Sequence, residues 1–247
     1  MIPSTLALAA LQLASPDAPA SYPFGVGERF EYSARYGVLN VGAATIQVVS
    51  VDTVRGQPAF RFRYTLDATA LFFKINSVLE SWTSVRDFRS LRFRQDSREN
   101  NKQYLKEYEI FPDSGYYRQQ GATATMPTPA DPLDDASILF YVRVAPLAIG
   151  KTVTLSRYFR PEVNPVLIRV LKRENLELPD GSKVPCLVLN PVVGTKGLFG
   201  NRTDARLWIT DDVRRIPVQI RSRQPFGPVT LKLEKITPAA RAAPRER

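Results

Sequence analysis

Two pairs of neighbouring carboxylates, Asp134-Asp135 and Asp211-Asp212, and two glutamates inside strand-like runs, Glu80 and Glu107, are the residues here that could move a proton. The work falls to carboxylates because the 247 residues include no histidine. That removes Ser-His and Cys-His nucleophiles and most zinc sites together. A glycosidase-like pair of acids is the chemistry left open. The spacing argues against it. Neighbours on a strand point to opposite faces, and Asp134-Asp135 stand where negative charge meets the positive end of a helix. Glu80 and Glu107 could face inward, yet neither has a partner identifiable in the sequence. No catalytic residue is assigned, and a carboxylate-dependent glycan hydrolase is the third of three functional readings.

The remaining motifs carry little chemistry. Gly194-Thr195-Lys196-Gly197-Leu198-Phe199-Gly200-Asn201 is glycine-rich and holds a lysine. It lacks the Gly-Lys-Ser/Thr ending of a nucleotide loop and no helix follows it, so it reads as a flexible connection between strands. Cys186, the one cysteine, lies in Val184-Pro185-Cys186-Leu187-Val188-Leu189 and reads as a buried core thiol. No metal and no cofactor is expected. Large apolar groups at loop tips, Leu71-Phe72-Phe73 and Leu198-Phe199, mark places where a ligand or partner could be touched, unless they tuck over an open sheet edge as core.

The elements that must position these residues are mainly strands. Period-two alternation covers roughly 28–36, 41–54, 58–70, 76–86, 89–98, 103–111 and 115–121, then 152–160, 164–177, 183–193, 203–210, 214–223 and 228–236. Turn signals separate them, among them Gly37-Val38-Leu39-Asn40, Arg55-Gly56-Gln57, Pro112-Asp113-Ser114-Gly115 and Asp180-Gly181. Sequential hairpins predict an antiparallel meander. That many strands curl rather than lie flat, so a half-barrel or barrel-like sheet is expected. One helix is predicted near 131–145, capped by Asp131 with Pro132 at its first position and stopped before Pro146. It is apolar nearly all round, as a helix wrapped by a curved sheet would be. The concave face is read as lined by Phe60, Phe62, Tyr64, Trp82 and Trp208, and Phe140 on the helix with Phe72, Phe73, Leu198 and Phe199 in loops complete the candidate ligand-binding residues.

Lys and Arg number 34 against 24 Asp and Glu, a net charge of +10. In Phe60-Arg61-Phe62-Arg63-Tyr64 the aromatics take one face and the arginines the other. Ser90-Leu91-Arg92-Phe93-Arg94 and the run from Ile216 to Arg223 repeat the pattern. The arginines are thus spread along outward faces, which favours a solvated surface over anion recognition, and no nucleic-acid module is visible. Residues 1–20 resemble a signal peptide, with the apolar run Leu6 to Leu11 and small residues at Ala18 and Ala20, although no basic residue precedes the run. No stretch reaches the roughly 20 apolar residues of a membrane span. Residues 21–237 read as one domain and 238–247 as a disordered basic tail.

Gly27-Glu28-Arg29-Phe30-Glu31-Tyr32 with Gly37, Gly42 and Ala43, the run Leu133 to Tyr141, and Trp208-Ile209-Thr210-Asp211-Asp212 with Arg215, Pro217 and Gly227 together resemble the exported bacterial family called domain of unknown function 3108, DUF3108. The resemblance implies a curved antiparallel sheet related to the half-barrels of periplasmic lipoprotein carriers, a periplasmic or cell-envelope location, and no defined activity. The first functional reading is a non-enzymatic envelope protein that binds a lipid or other amphipathic molecule on the concave face. If the helix fills that face, the second reading applies, a structural or protein-interaction module acting through its arginine face or apolar loops. Peripheral membrane contact and an envelope protein partner are both open.

Overall fold

The computed structural model describes residues 22–70, 72–178, 180–194, 204–224 and 227–240. These form fourteen strands in one curved, unclosed antiparallel sheet. The first eight are β1 (Arg29–Tyr36), β2 (Leu39–Val54), β3 (Gln57–Ala70), β4 (Phe73–Ser84), β5 (Ser90–Glu99), β6 (Lys102–Phe111), β7 (Tyr116–Gln119) and β8 (Met126–Pro127). After the helix α1 (Ser137–Tyr141) come β9 (Thr152–Leu155), β10 (Val166–Glu177), β11 (Lys183–Val192), β12 (Arg206–Thr210), β13 (Pro217–Gln224) and β14 (Gly227–Thr237).

The alternation of the sequence is carried directly into these strands. Along β3, Phe60, Phe62, Tyr64, Leu66 and Ala68 are buried while Arg61 and Arg63 lie on the other side. Hairpins join β1 through β8 and, separately, β9 through β14. The two meanders meet in the middle of the sheet, where β1 pairs with β14 from Arg29↔Thr237 to Arg35↔Thr230. The edges are therefore β8 and β9, two and four residues long, and short edges offer little template for pairing with another chain.

Curvature comes from irregularities in the ladders. The register shifts between Glu31 and Tyr32, Val48 and Ser50, Trp82 and Thr83, Val170 and Lys172, and Trp208 and Ile209. An extra residue at such a point bends the strand and adds twist. At Gly42 the crossing with β3 is so close that a Cβ would lie 2.0 Å from the Asp67 carbonyl oxygen.

The segment between β8 and β9 lies across the inner face of the sheet. The helix in it is much shorter than expected, five residues in place of the stretch 131–145. Asp131 and Pro132 do not start it. Asp131 pairs with Arg157, and the Pro132 carbonyl accepts the Ser90 N–H. The cap is Asp134, whose Oδ1 accepts the N–H groups of Ala136 and Ser137 at 2.9 and 2.8 Å. Beyond Tyr141 the chain tightens, with Arg143 N–H donating to Phe140 O and Val144 N–H to Tyr141 O, and it coils on to Ala145 without forming an α-helix.

Candidate functional site

The aromatic interior is assembled from four separate parts of the chain. Phe60 and Phe62 come from β3, Phe140 from α1, and Phe24 and Phe88 from loops. Phe62 and Phe140 stack with ring centroids 3.9 Å apart and an interplanar angle of 11°, and Phe24 meets both edge-on at 5.7 and 5.4 Å. Phe62 is 0% and Phe140 2% exposed. The structure thus brings Phe60, Phe62 and Phe140 together as the sequence suggests, and they cover one another. Farther along β5 to β7, Phe159 fills the same role against Phe93, Tyr108 and Tyr117. Tyr64 also faces inward, its phenol pushed up by burial and its hydroxyl without a hydrogen-bond partner.

Three polar anchors fix α1 in this position. At its start, Asp134 is completely enclosed and also accepts from Ser81 Oγ at 2.6 Å on β4. Burial pushes its carboxyl up to about 6, although hydrogen bonds from Ser81, Ser137 and Ser90 pull the other way. At the far end, Arg143 is 2% exposed and forms a buried pair with Glu28, with Nη2–Oε1 3.1 Å. Its guanidinium lies over the rings of Phe24 and Phe30 at 5.2 and 5.4 Å and donates to the carbonyls of Pro23 and Arg214. Arg215 closes the arrangement from the β12–β13 turn by donating to the Ala145 carbonyl.

Both tryptophans lie on the opposite face from the one expected. Trp82 pairs with Arg61 on β3 and Arg92 on β5, and directly opposed residues share a face. The Arg61 and Arg92 guanidinium carbons sit 5.2 and 5.5 Å from its ring centroids, and its Nε1 donates to Asp52 Oδ2 at 2.8 Å. Trp208 pairs with Val188 and Gln219, opposite in parity to Leu207 and Ile209. Glu80 and Glu107 face outward too, since they pair with Arg63 and Arg94 and with Arg94 respectively.

This outer surface is an ordered array of ion pairs. Glu80 Oε1 accepts from Arg61 Nη2 at 2.7 Å and Arg63 Nε at 2.9 Å, and Arg94 reaches Glu80 Oε2 at 3.4 Å and Glu107 at 2.7 Å. Burial alone would raise the Glu80 carboxyl, but the hydrogen bonds from Arg61 and Arg63 outweigh it and hold the group ionised. Arg92 and Arg55 both pair with Glu109, and Arg94 also with Asp96. A cleft of about 280 Å³ runs beside the array, lined by Trp82, Arg92, Arg94, Glu107, Tyr108, Glu109 and Gln120. Arg55, Arg61, Arg63, Arg92 and Arg94 are thereby set against Asp52, Glu80, Asp96, Glu107 and Glu109, and the face is locally balanced.

Of the apolar loop residues, Phe72 is 95% exposed, whereas Phe73 packs against the core. Leu198 and Phe199 lie outside the described residues, as do Leu71, the leader and positions 241–247. Cys186 is enclosed, and burial pushes its thiol up to about 11. No group of three or more potential metal ligands occurs among the described residues. The sequence reading missed Phe24, Phe88 and the Glu28–Arg143 pair. All four residues sit in irregular segments where periodicity is silent, and Glu28 and Arg143 are separated by 115 positions.

Comparisons with known proteins agree with this architecture. The model of the family described as "Protein of unknown function (DUF3108)" matches residues 31–234. Among solved structures, the chain is similar to a crystal structure of a beta-barrel-like protein of domain of unknown function DUF1849 from Brucella abortus. The TM-score is 0.53 at 10% sequence identity, covering 88% of this chain and 99% of that one. No curated protein matches the sequence.

Proposed function

The chain belongs to the DUF3108 family, and on that premise we propose that it is a non-enzymatic, exported module of the cell envelope that makes its contacts with its outside. The observation that carries this reading is the stack of Phe140 on Phe62. A lipid entering the concave face at this level would have to expel α1, and with it the buried Arg143–Glu28 pair and the Asp134 cap. Breaking a buried ion pair by removing one partner costs about 3–5 kcal/mol. Burying an acyl chain returns roughly 25 cal/mol per Å², and here Phe140 already occupies that area. Carboxylate catalysis is disfavoured by the same geometry. A glycosidase acid needs a raised pKa and access to substrate: Glu80 is held ionised by its arginines, and Asp134, whose pKa is raised, is completely enclosed with its oxygens taken by Ser81 and the Ala136 and Ser137 N–H groups.

The test is native mass spectrometry with lipid extraction on protein purified from an envelope fraction. The expected result is a protein mass without stoichiometric amphiphile. A one-to-one lipid would overturn the reading in favour of a carrier. One observation favours that second reading, the enclosed Tyr64 hydroxyl with no partner, since a polar group left in this way costs about 1–3 kcal/mol that a ligand atom could recover.

A further inference from the structure

The strands β1 to β6 end in three adjacent turns on one rim, at Gly37-Val38, at Phe72 and at Asn100-Asn101. The rim lies at the end of the sheet away from the Glu28–Arg143 pair. Asn100 ties two of these turns together, its N–H donating to Lys74 O and its Oδ1 accepting the Lys74 N–H at 2.7 Å. The first two tips are strongly apolar: Phe72 is 95%, Val38 90% and Leu39 63% exposed. They stand two strand spacings apart, roughly 10 Å. Behind them Lys74, Arg98 and Lys102 are exposed, and none forms an ion pair among the described residues. The acids on the same rim are Asp67, which accepts from Asn76, and Glu99, which stands opposite Lys102 in the β5–β6 ladder. Arg35 is set against Glu234.

We propose that this rim is a membrane-docking edge, with Phe72, Val38 and Leu39 entering the interfacial layer of an anionic lipid surface and Lys74, Arg98 and Lys102 facing the head groups. Scattered exposed apolar residues are ordinary on a protein surface. Three on neighbouring tips, with three cations against two acids directly behind, match the chemistry of interfacial binding. The arginine face does not compete for this role because its carboxylates neutralise it. The net charge of +10 gives the approach the right sign. The proposal deepens the outside-contact reading above by naming its partner.

The test is co-sedimentation of the full chain with vesicles of phosphatidylethanolamine and phosphatidylglycerol, and with neutral phosphatidylcholine vesicles, at low and high salt. The expected result is binding to the anionic vesicles that weakens with salt. Phe72→Ser combined with Val38→Ser lowers the partition at least tenfold, and Lys74→Glu with Lys102→Glu removes most of the salt-dependent part. Val213→Ser is the control, since Val213 is 88% exposed in the turn at the opposite end of the sheet and the change leaves binding intact. The proposal is overturned if the wild type does not sediment, if the rim variants bind as well as the wild type, or if the control loses as much as they do. Protein that extracts single lipids into solution without sedimenting overturns the outside-contact reading as well. Protein that does neither overturns the rim alone.

Discussion

Asp134 and Arg143 show how individual side chains decide what the inner face can do. The Asp134 carboxyl holds its proton more tightly in the native state, near 6, than at the ordinary aspartate value. Its protonated form therefore favours folding below about pH 4, and that contribution is lost as pH rises to about 6, at a scale of about 3 kcal/mol. Asp134→Asn keeps an acceptor for the Ala136 and Ser137 N–H groups and is expected to lack this slope. Urea denaturation at pH 4, 5 and 7 checks it, and parallel slopes for both proteins would refute the assignment. Arg143→Met, which strands Glu28 in the interior, is expected to cost about 3–5 kcal/mol. The double change with Glu28→Gln should cost less than the sum of the two, measured as a denaturation cycle. Of these residues only Asp134 was legible in sequence, as a helix-start acid. Arg143 read as the end of an apolar helix, and nothing local pointed to Glu28.

At the scale of elements, the strands were legible because period-two alternation survives wherever one face is apolar and the other charged, as in β3 and β5. It fails where both faces are apolar. Leu207-Trp208-Ile209 offers no contrast, so the face of Trp208 is set only by its register with Gln219. For Trp82 the signal was present: Ile75 and Leu79 share one parity and Trp82 the other, and assuming that a tryptophan must point inward hid it. The length of α1 is hidden from the sequence for a related reason, since apolar density does not distinguish an α-helix from the tighter coil that follows Tyr141. Packing between elements also fixes Gly42. Gly42→Ala would drive a methyl into the Asp67 carbonyl and is expected to cost about 1–3 kcal/mol, read as a lowered denaturation midpoint with an unchanged slope. Unaltered stability would mean that β2 and β3 can separate there.

For the whole molecule, local signals could not show that the two meanders join through β1 and β14, because the pairing spans nearly the full chain. The first and last described segments lie close, with Ala240 N–H donating to Val26 O at 2.9 Å. Joining them and reopening the chain in the exposed stretch Gly121–Thr125 would turn β9 to β14 and β1 to β7 into one run of sequential neighbours. Such a permutant is expected to refold faster than the wild type at similar stability, by stopped-flow measurement, since fewer contacts then span long loops. Equal rates would show that the central pairing is not what limits folding. The same pairing has a consequence for how the chain is made. Its first strand waits for its last, so no synthesising or translocating machine that handles the chain from the N-terminus can meet a finished sheet before Thr237 has emerged. Until then any machine that threads the polypeptide through a narrow pore meets a chain whose sheet is still incomplete.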